Sequence, residues 1–265
     1  MIIRGLETAV KGMQALIEQN DSTANNVANV NTVGYKKQSL VFQNIYDSNI
    51  IQKNTITDES ASVGALSIGS QIQKLTHDFS QGVLDKTGNT FDLAIQGDGL
   101  FKIQSNDGNI SYTRNGSFTL NNNGNLVTKD GDYVLDEKSK RIKINTNDVV
   151  MRSINDIIIN EDGTIQLSND KNQMTMQKIG VYDFTNKEDM ECLGGSKFKP
   201  VGNTINPELK AEKFSIQQGS LEMSNANVVN EMMKTINTSR NYEALSKLVQ
   251  SNGDSLGNVM RVGRL

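Results

Sequence analysis

Two stretches of this chain repeat apolar residues at a helical period, and they lie far apart in the sequence. In the first, Ile3, Val10, Ile17 and Ala24 fall on one line and Leu6, Met13, Asn20 and Val27 on the other. All of these but Asn20 are apolar, which predicts a helix with a coiled-coil-like seam. A polar seam residue such as Asn20 lowers stability and fixes register or oligomeric state. From Asn227 a second seam begins with Val229, Met232, Ile236 and Ser239. After a small phase shift it continues through Tyr242, Leu245, Val249, Asn252, Leu256 and Val259. Asn252 repeats the seam amide, and Gly253 and Gly257 weaken the last turns. Ser224 is expected to cap this helix. The plainer alternative is that each helix packs on its own domain. The change of pattern between them argues instead for one shared coiled coil.

From about Lys36 to Gln218 the helical period disappears. Short apolar runs alternate with Asp107-Gly108, Asn115-Gly116, Asn123-Gly124, Asp130-Gly131 and Asp162-Gly163. Such pairs suit turns with positive φ, and their close spacing predicts a meander of short antiparallel strands. Met176 to Phe184 reads as one further strand. Asp47 to Ser70 and Gly194 to Pro207 read as extended connecting segments. The expected fold class is therefore α+β. Residues 1–35 and 220–265 form a helical coiled-coil domain, 36–85 and 200–219 extended connections, and 86–199 a mainly antiparallel β domain.

Composition narrows the function. The 265 residues carry 27 basic and 30 acidic side chains, a formal net charge of -3. That balance gives no electrostatic case for nucleic acid or an anionic membrane. With one cysteine, Cys192, no intrachain disulfide can form, and acidic neighbours disfavour a thiolate there. His77 is the single histidine, too few for a His-rich metal site. The Asp-Gly turns lack the carboxylate spacing of a calcium loop. Gly97 and Gly99 lead into a strand rather than a phosphate-binding helix. No catalytic, cofactor or metal residue is expected, nor a small-molecule substrate. The opening residues do not read as a Sec signal, because Arg4, Glu7, Lys11, Gln14 and Glu18 interrupt the apolar positions.

"ANNVANVNTVGYKKQ", with Asn25, Asn26, Ala28, Asn29, Gly34, Tyr35 and Lys36, resembles the N-terminal signature of the bacterial flagellar rod and hook family. "FDLAIQGDGLFKI" with "YTRNGSFTLNNNGNLVT" resembles that family's central β region. "GSLEMSNANVVNEMMKTINTSRNYEALSKLV", from Gly219 to Val249, resembles its C-terminal segment. Length and the stretch Ala61 to Leu84 favour the rod members over the much longer hook members, the distal-rod branch ahead of the proximal-rod branch.

The resemblance implies a structural subunit that polymerises into a hollow helical shaft transmitting torque from motor to hook. It implies terminal helices in an inner coiled-coil wall and a β domain facing outward. Its expected partners are other copies of itself, other rod subunits, the hook protein and the flagellar type III export apparatus. The expected location is the flagellar basal body. On this reading Asn25, Asn26 and Asn29 link neighbouring helices and turns through amide hydrogen bonds, and Asn31, Thr32 and Gly34 close the helix. An adhesin or enzyme built on the β domain is the alternative.

Overall fold

A computed structural model describes residues 2–53, 60–144, 157–169, 172–201, 208–211 and 213–262. Helix α1 is Ile2–Ala28 and helix α2 is Val228–Val262. Between them run β1 (Gln38–Lys53), β2 (Ser60–His77), β3 (Leu84–Lys86), β4 (Leu93–Gly97), β5 (Leu100–Gln104) and β6 (Ile110–Thr113). Then come β7 (Phe118–Leu120), β8 (Leu126–Thr128), β9 (Tyr133–Val134), β10 (Ile157–Ile159), β11 (Thr164–Asn169) and β12 (Asn172–Lys178). The last are β13 (Val181–Phe184), β14 (Met190–Gly194), β15 (Lys197–Pro200), β16 (Glu208–Lys210), β17 (Phe214–Gln218) and β18 (Ser220–Glu222). The class is α+β, and every strand register described is antiparallel.

The chain divides into two compact units. One gathers Met1–Val27, Gln38–Thr76 and Asn227–Leu265, and the other Ala28–Lys37 and His77–Ala226. In the first, α1 and α2 lie side by side and antiparallel. Two contacts show this. A Cβ on Gly12 would stand 3.2 Å from Leu245 Cδ1. Asn26 Nδ2 donates to Glu231 Oε2 at 3.2 Å. The paired residues are equally spaced on both helices, so neither slips relative to the other. The cap of α2 is Asn227, not Ser224. Asn227 Oδ1 accepts from the Asn230 amide and its carbonyl from that of Glu231. Ser224 lies one turn too early, where its hydroxyl accepts instead from the Ala226 amide. Glu231 in the first turn suits the positive end of the helix dipole. β1 and β2 form a two-stranded sheet.

The second unit is built around a nine-stranded sheet, a three-stranded sheet of β10, β11 and β12, and the pairs β17–β4 and β18–β3. β5 sits inside the large sheet and is buried on both faces. Phe101 and Ile103 enter the main core with Leu93, Ile95, Leu126, Val134, Ile165 and Ile216. Leu100 joins a second cluster of Tyr112, Tyr182, Phe184, Met190 and Phe198, against which Cys192 packs. The two-residue period of a strand divides these side chains between the faces.

Two expectations fail here. Met176 to Phe184 is not one strand. β12 belongs to the three-stranded sheet and β13 to the large one, and the step comes at Gly180. A Cβ on Gly180 would lie 2.8 Å from the Asp136 carbonyl, so a side chain would be crowded there. Gly194 to Pro200 is no loose connection either. It forms the turn and second strand of the β14–β15 hairpin, whose β15 edge pairs with β6. Three successive positive φ values, at Gly194, Gly195 and Ser196, make that turn. The rest of the expected segment up to Pro207 lies almost wholly outside the described residues.

Candidate assembly surface and buried clasp

The helices of the first unit bury polar residues as well as alanines. On α1 the buried positions are Ala9, Ala15, Thr23 and Asn26, and on α2 they are Glu231 and Thr238. Thr23 Oγ1 donates to the Gln19 carbonyl, and the half-buried Thr235 donates to that of Glu231, so each hydroxyl is satisfied within its own helix. Asn26 is 1% exposed. Its Oδ1 accepts from the Gln38 amide at 2.7 Å, while its Nδ2 donates to the Gln38 carbonyl at 2.9 Å. A side-chain amide can meet both backbone groups of one residue in this way because it carries a donor and an acceptor.

Several large apolar residues face outward. Val10 and Ile17 are 42% and 49% exposed on α1. On α2, Val229, Met232, Met233, Ile236 and Leu248 are each more than half exposed. Of the predicted seam, Leu6, Met13, Asn20, Val27, Leu245, Val249 and Asn252 are half-buried, and Tyr242 is at the margin of exposure. Asn20 Oδ1 is a buried acceptor without a partner among the described residues. Ile3 and Leu256 lie on the helices, but their side chains fall outside the described set. One row of predicted seam residues is thus left to solvent by the chain's own fold. Contiguous exposed apolar rows on monomers mark interaction surfaces.

The signature residues after α1 lead to a buried charge cluster inside the second unit. Lys36, Arg114 and Glu222 are 1%, 2% and 0% exposed. Glu222 Oε1 accepts from Lys36 Nζ at 2.7 Å and from the Gly82 amide at 2.9 Å. Its Oε2 accepts from Arg114 Nη1 at 3.0 Å. Lys36 also donates to the Ser80 carbonyl, and Arg114 to the carbonyls of Ile95 and Gly97. Two cations share one carboxylate, and backbone carbonyls take up further donors of both. Burial pulls the Lys36 ammonium below the usual lysine range, against the attraction of Glu222.

The backbone is fastened at the same place. The Glu222 carbonyl accepts from the Gly34 amide at 2.7 Å. Asn225 Oδ1 accepts from the Lys37 amide, and its Nδ2 donates to the carbonyls of Asp78 and Ser80. Two glycines permit the close approach. A Cβ on Gly34 would lie 2.3 Å from the Asn115 nitrogen, and one on Gly82 would lie 2.0 Å from the Met223 carbonyl oxygen. His77 closes one side. Its Nδ1 donates to the Lys36 carbonyl at 3.3 Å and its ring meets Phe198 edge-on at 5.2 Å. Tyr35 is buried in the same segment, and Ala28 ends α1 with an exposed side chain. Asn29 accepts from Thr32 through both its carbonyl and its Oδ1.

Sequence reasoning named Lys36 but missed its partners. Arg114 reads as an ordinary base within "YTRNG", and Glu222 as one residue of a long C-terminal match. The available signal was their setting, single charges inside runs otherwise patterned for burial. This cluster holds structure together. Both Glu222 oxygens are bonded to neighbours, and Lys36 and Arg114 turn their donors to that carboxylate and to backbone carbonyls, while Arg114 Nε has no partner among the described residues.

Comparison with known proteins agrees with this architecture. Residues 6–36 match the family described as Flagella basal body rod protein. Residues 94–167 match the flagellar hook protein FlgE/F/G D1 domain, and residues 217–262 the flagellar basal body rod FlgEFG protein C-terminal region. The chain belongs to the flagellar basal-body rod family, a family of structural proteins rather than enzymes. Within that family it is similar to rod proteins named FlgG. That of Bacillus subtilis is 31% identical, the match covering 99% of this chain and 100% of the relative. That of Borreliella burgdorferi is 32% identical over 97% of each. A FlgF rod protein from Caulobacter vibrioides is 30% identical over 98% of each.

Proposed function

We propose that this protein is the distal rod subunit of the flagellar basal body, polymerising into a hollow helical shaft that carries torque from motor to hook. The observation behind this reading is the helical pair of the first unit, which joins Asn26 to Glu231 between the helices and leaves rows of large apolar side chains exposed. A second copy that covers Val10, Ile17, Met232 and Ile236 would complete a coiled-coil wall. Such contacts use different faces on each partner, and a rotation that does not close gives a growing helix. In this scheme residues 1–35 and 220–265 make the inner coiled coil, 36–85 and 200–219 the connections, and 86–199 the outer β domain. The hook protein and other rod subunits are the neighbours. The subunit reaches its place through the flagellar type III export apparatus.

Electron microscopy of the purified protein provides the test. Rods of uniform diameter are expected from the unaltered chain and none from the double variant Met232→Lys, Ile236→Lys. Equal polymerisation by both would reject the reading. The FlgF likeness keeps a proximal rod subunit as the second reading. Restoration of rod growth in a strain lacking only its distal rod subunit separates the two.

A further inference from the structure

We propose that residues 214–226 are a closing segment. The second unit cannot complete its fold before they arrive, so a chain emerging N-terminus first stays open until its end is nearly out. Four requirements converge on this short stretch. β4 carries Leu93, Ala94 and Ile95, all at 0% exposure, yet its ladder partner is β17, with Ile216 opposite Ile95. Ile216 itself fills the main core at 1% exposure. Gln218 satisfies backbone groups of three residues at once: its Nε2 donates to the carbonyls of Thr90 and Ile157, and its Oε1 accepts from the Ile159 amide. Glu222 supplies the carboxylate between Lys36 and Arg114.

The last requirement decides the order of events. A buried ion cluster missing one member leaves an uncompensated charge, a far worse state than leaving the site in water. Without Glu222, Lys36 and Arg114 therefore stay solvated. Val83 cannot then be held by the Met223 amide, nor Gly34 by the Glu222 carbonyl. Hairpins such as β7–β8 pair within one short stretch and can form early. The clasp joins residues 36, 114 and 222, and its closure waits for the longest loop in the unit.

Pulse-labelling hydrogen exchange during refolding of the full chain tests this. Amides of β4 and β5 are expected to gain protection in the same kinetic phase as those of β17 and Gly34. Protection of β4 and β5 about tenfold or more faster than β17 would overturn the proposal. The Glu222→Gln variant is expected to slow the shared phase by about tenfold or more. The triple variant Lys36→Met, Arg114→Met, Glu222→Leu, which removes every charge, is expected to recover it to within about threefold. Faster unfolding with an unchanged folding rate in Glu222→Gln would place the clasp after closure and reject its part in the order. If Glu222→Gln does not fold, the labelling of the unaltered chain still decides.

Discussion

At the residue scale, side chains with both a donor and an acceptor, or with none at all, hold the tightest places. Asn26 illustrates the first kind. In Asn26→Asp the donor to the Gln38 carbonyl is lost and a carboxylate comes to lie beside Glu231. A cost of about 2–3 kcal/mol is expected, read as a lower urea midpoint of the helical signal. Gly82→Ala illustrates the second, since its new Cβ meets backbone rather than a movable side-chain end. A loss of at least ~1–3 kcal/mol is expected in the β unit. His77 adds a pH dependence. Burial holds it below its ordinary value of 6.5, against the bond to the Lys36 carbonyl. Its polar contact is with the backbone carbonyl of Lys36, and Asp78 follows it in the chain and pairs with Lys37. The unfolded chain then takes a proton more readily than the folded one, so stability is full above pH 6.5 and declines as pH falls below it. A thermal midpoint that drops between about pH 7.5 and 5.5, and drops less in His77→Gln, is the expected result. The signature residues were visible in the sequence one by one. That Lys36, Arg114 and Glu222 meet was not, because single charges at such separations carry no periodicity.

At the scale of elements, a heptad pattern announces a helix but not which of its lines the chain will cover for itself. Both terminal helices and the antiparallel meander could be read from apolar spacing and turn pairs. The inward face could not, because beside Ala9 and Ala15 it includes Asn26, Thr23, Glu231 and Thr238, which look like ordinary polar positions. The same limit applies to the β14–β15 hairpin. Its Gly-Gly-Ser turn and two prolines mimic a linker, and only pairing with β6 makes it part of a sheet. Because the outward row makes little contact within the monomer, Met232→Lys with Ile236→Lys is expected to change monomer stability by no more than about 0.5 kcal/mol. Chemical denaturation at a dilution that prevents assembly checks this.

For the whole molecule, assembly and stability are held in different places. The β unit carries nearly all the large buried apolar side chains, while the helical unit carries most of the exposed ones among the described residues. Limited proteolysis of the monomer is expected to trim the helices first and to spare the β core, and polymerisation to protect both. Loss of the core before the ends would contradict this division. Deletion of Ala61–Gly69, within β2, is expected to soften the rod or lower its yield, read as a shorter persistence length in micrographs. One further consequence concerns load. Gly34 bonds to Glu222 and Lys37 to Asn225, so the incoming and outgoing segments of the β unit run side by side in the same direction. Tension applied at residues 28 and 226 therefore pulls them past one another. The bonds are strained together, as in a lap joint, rather than peeled apart in turn. The strands between them form a closed loop that feels no extension until that joint fails.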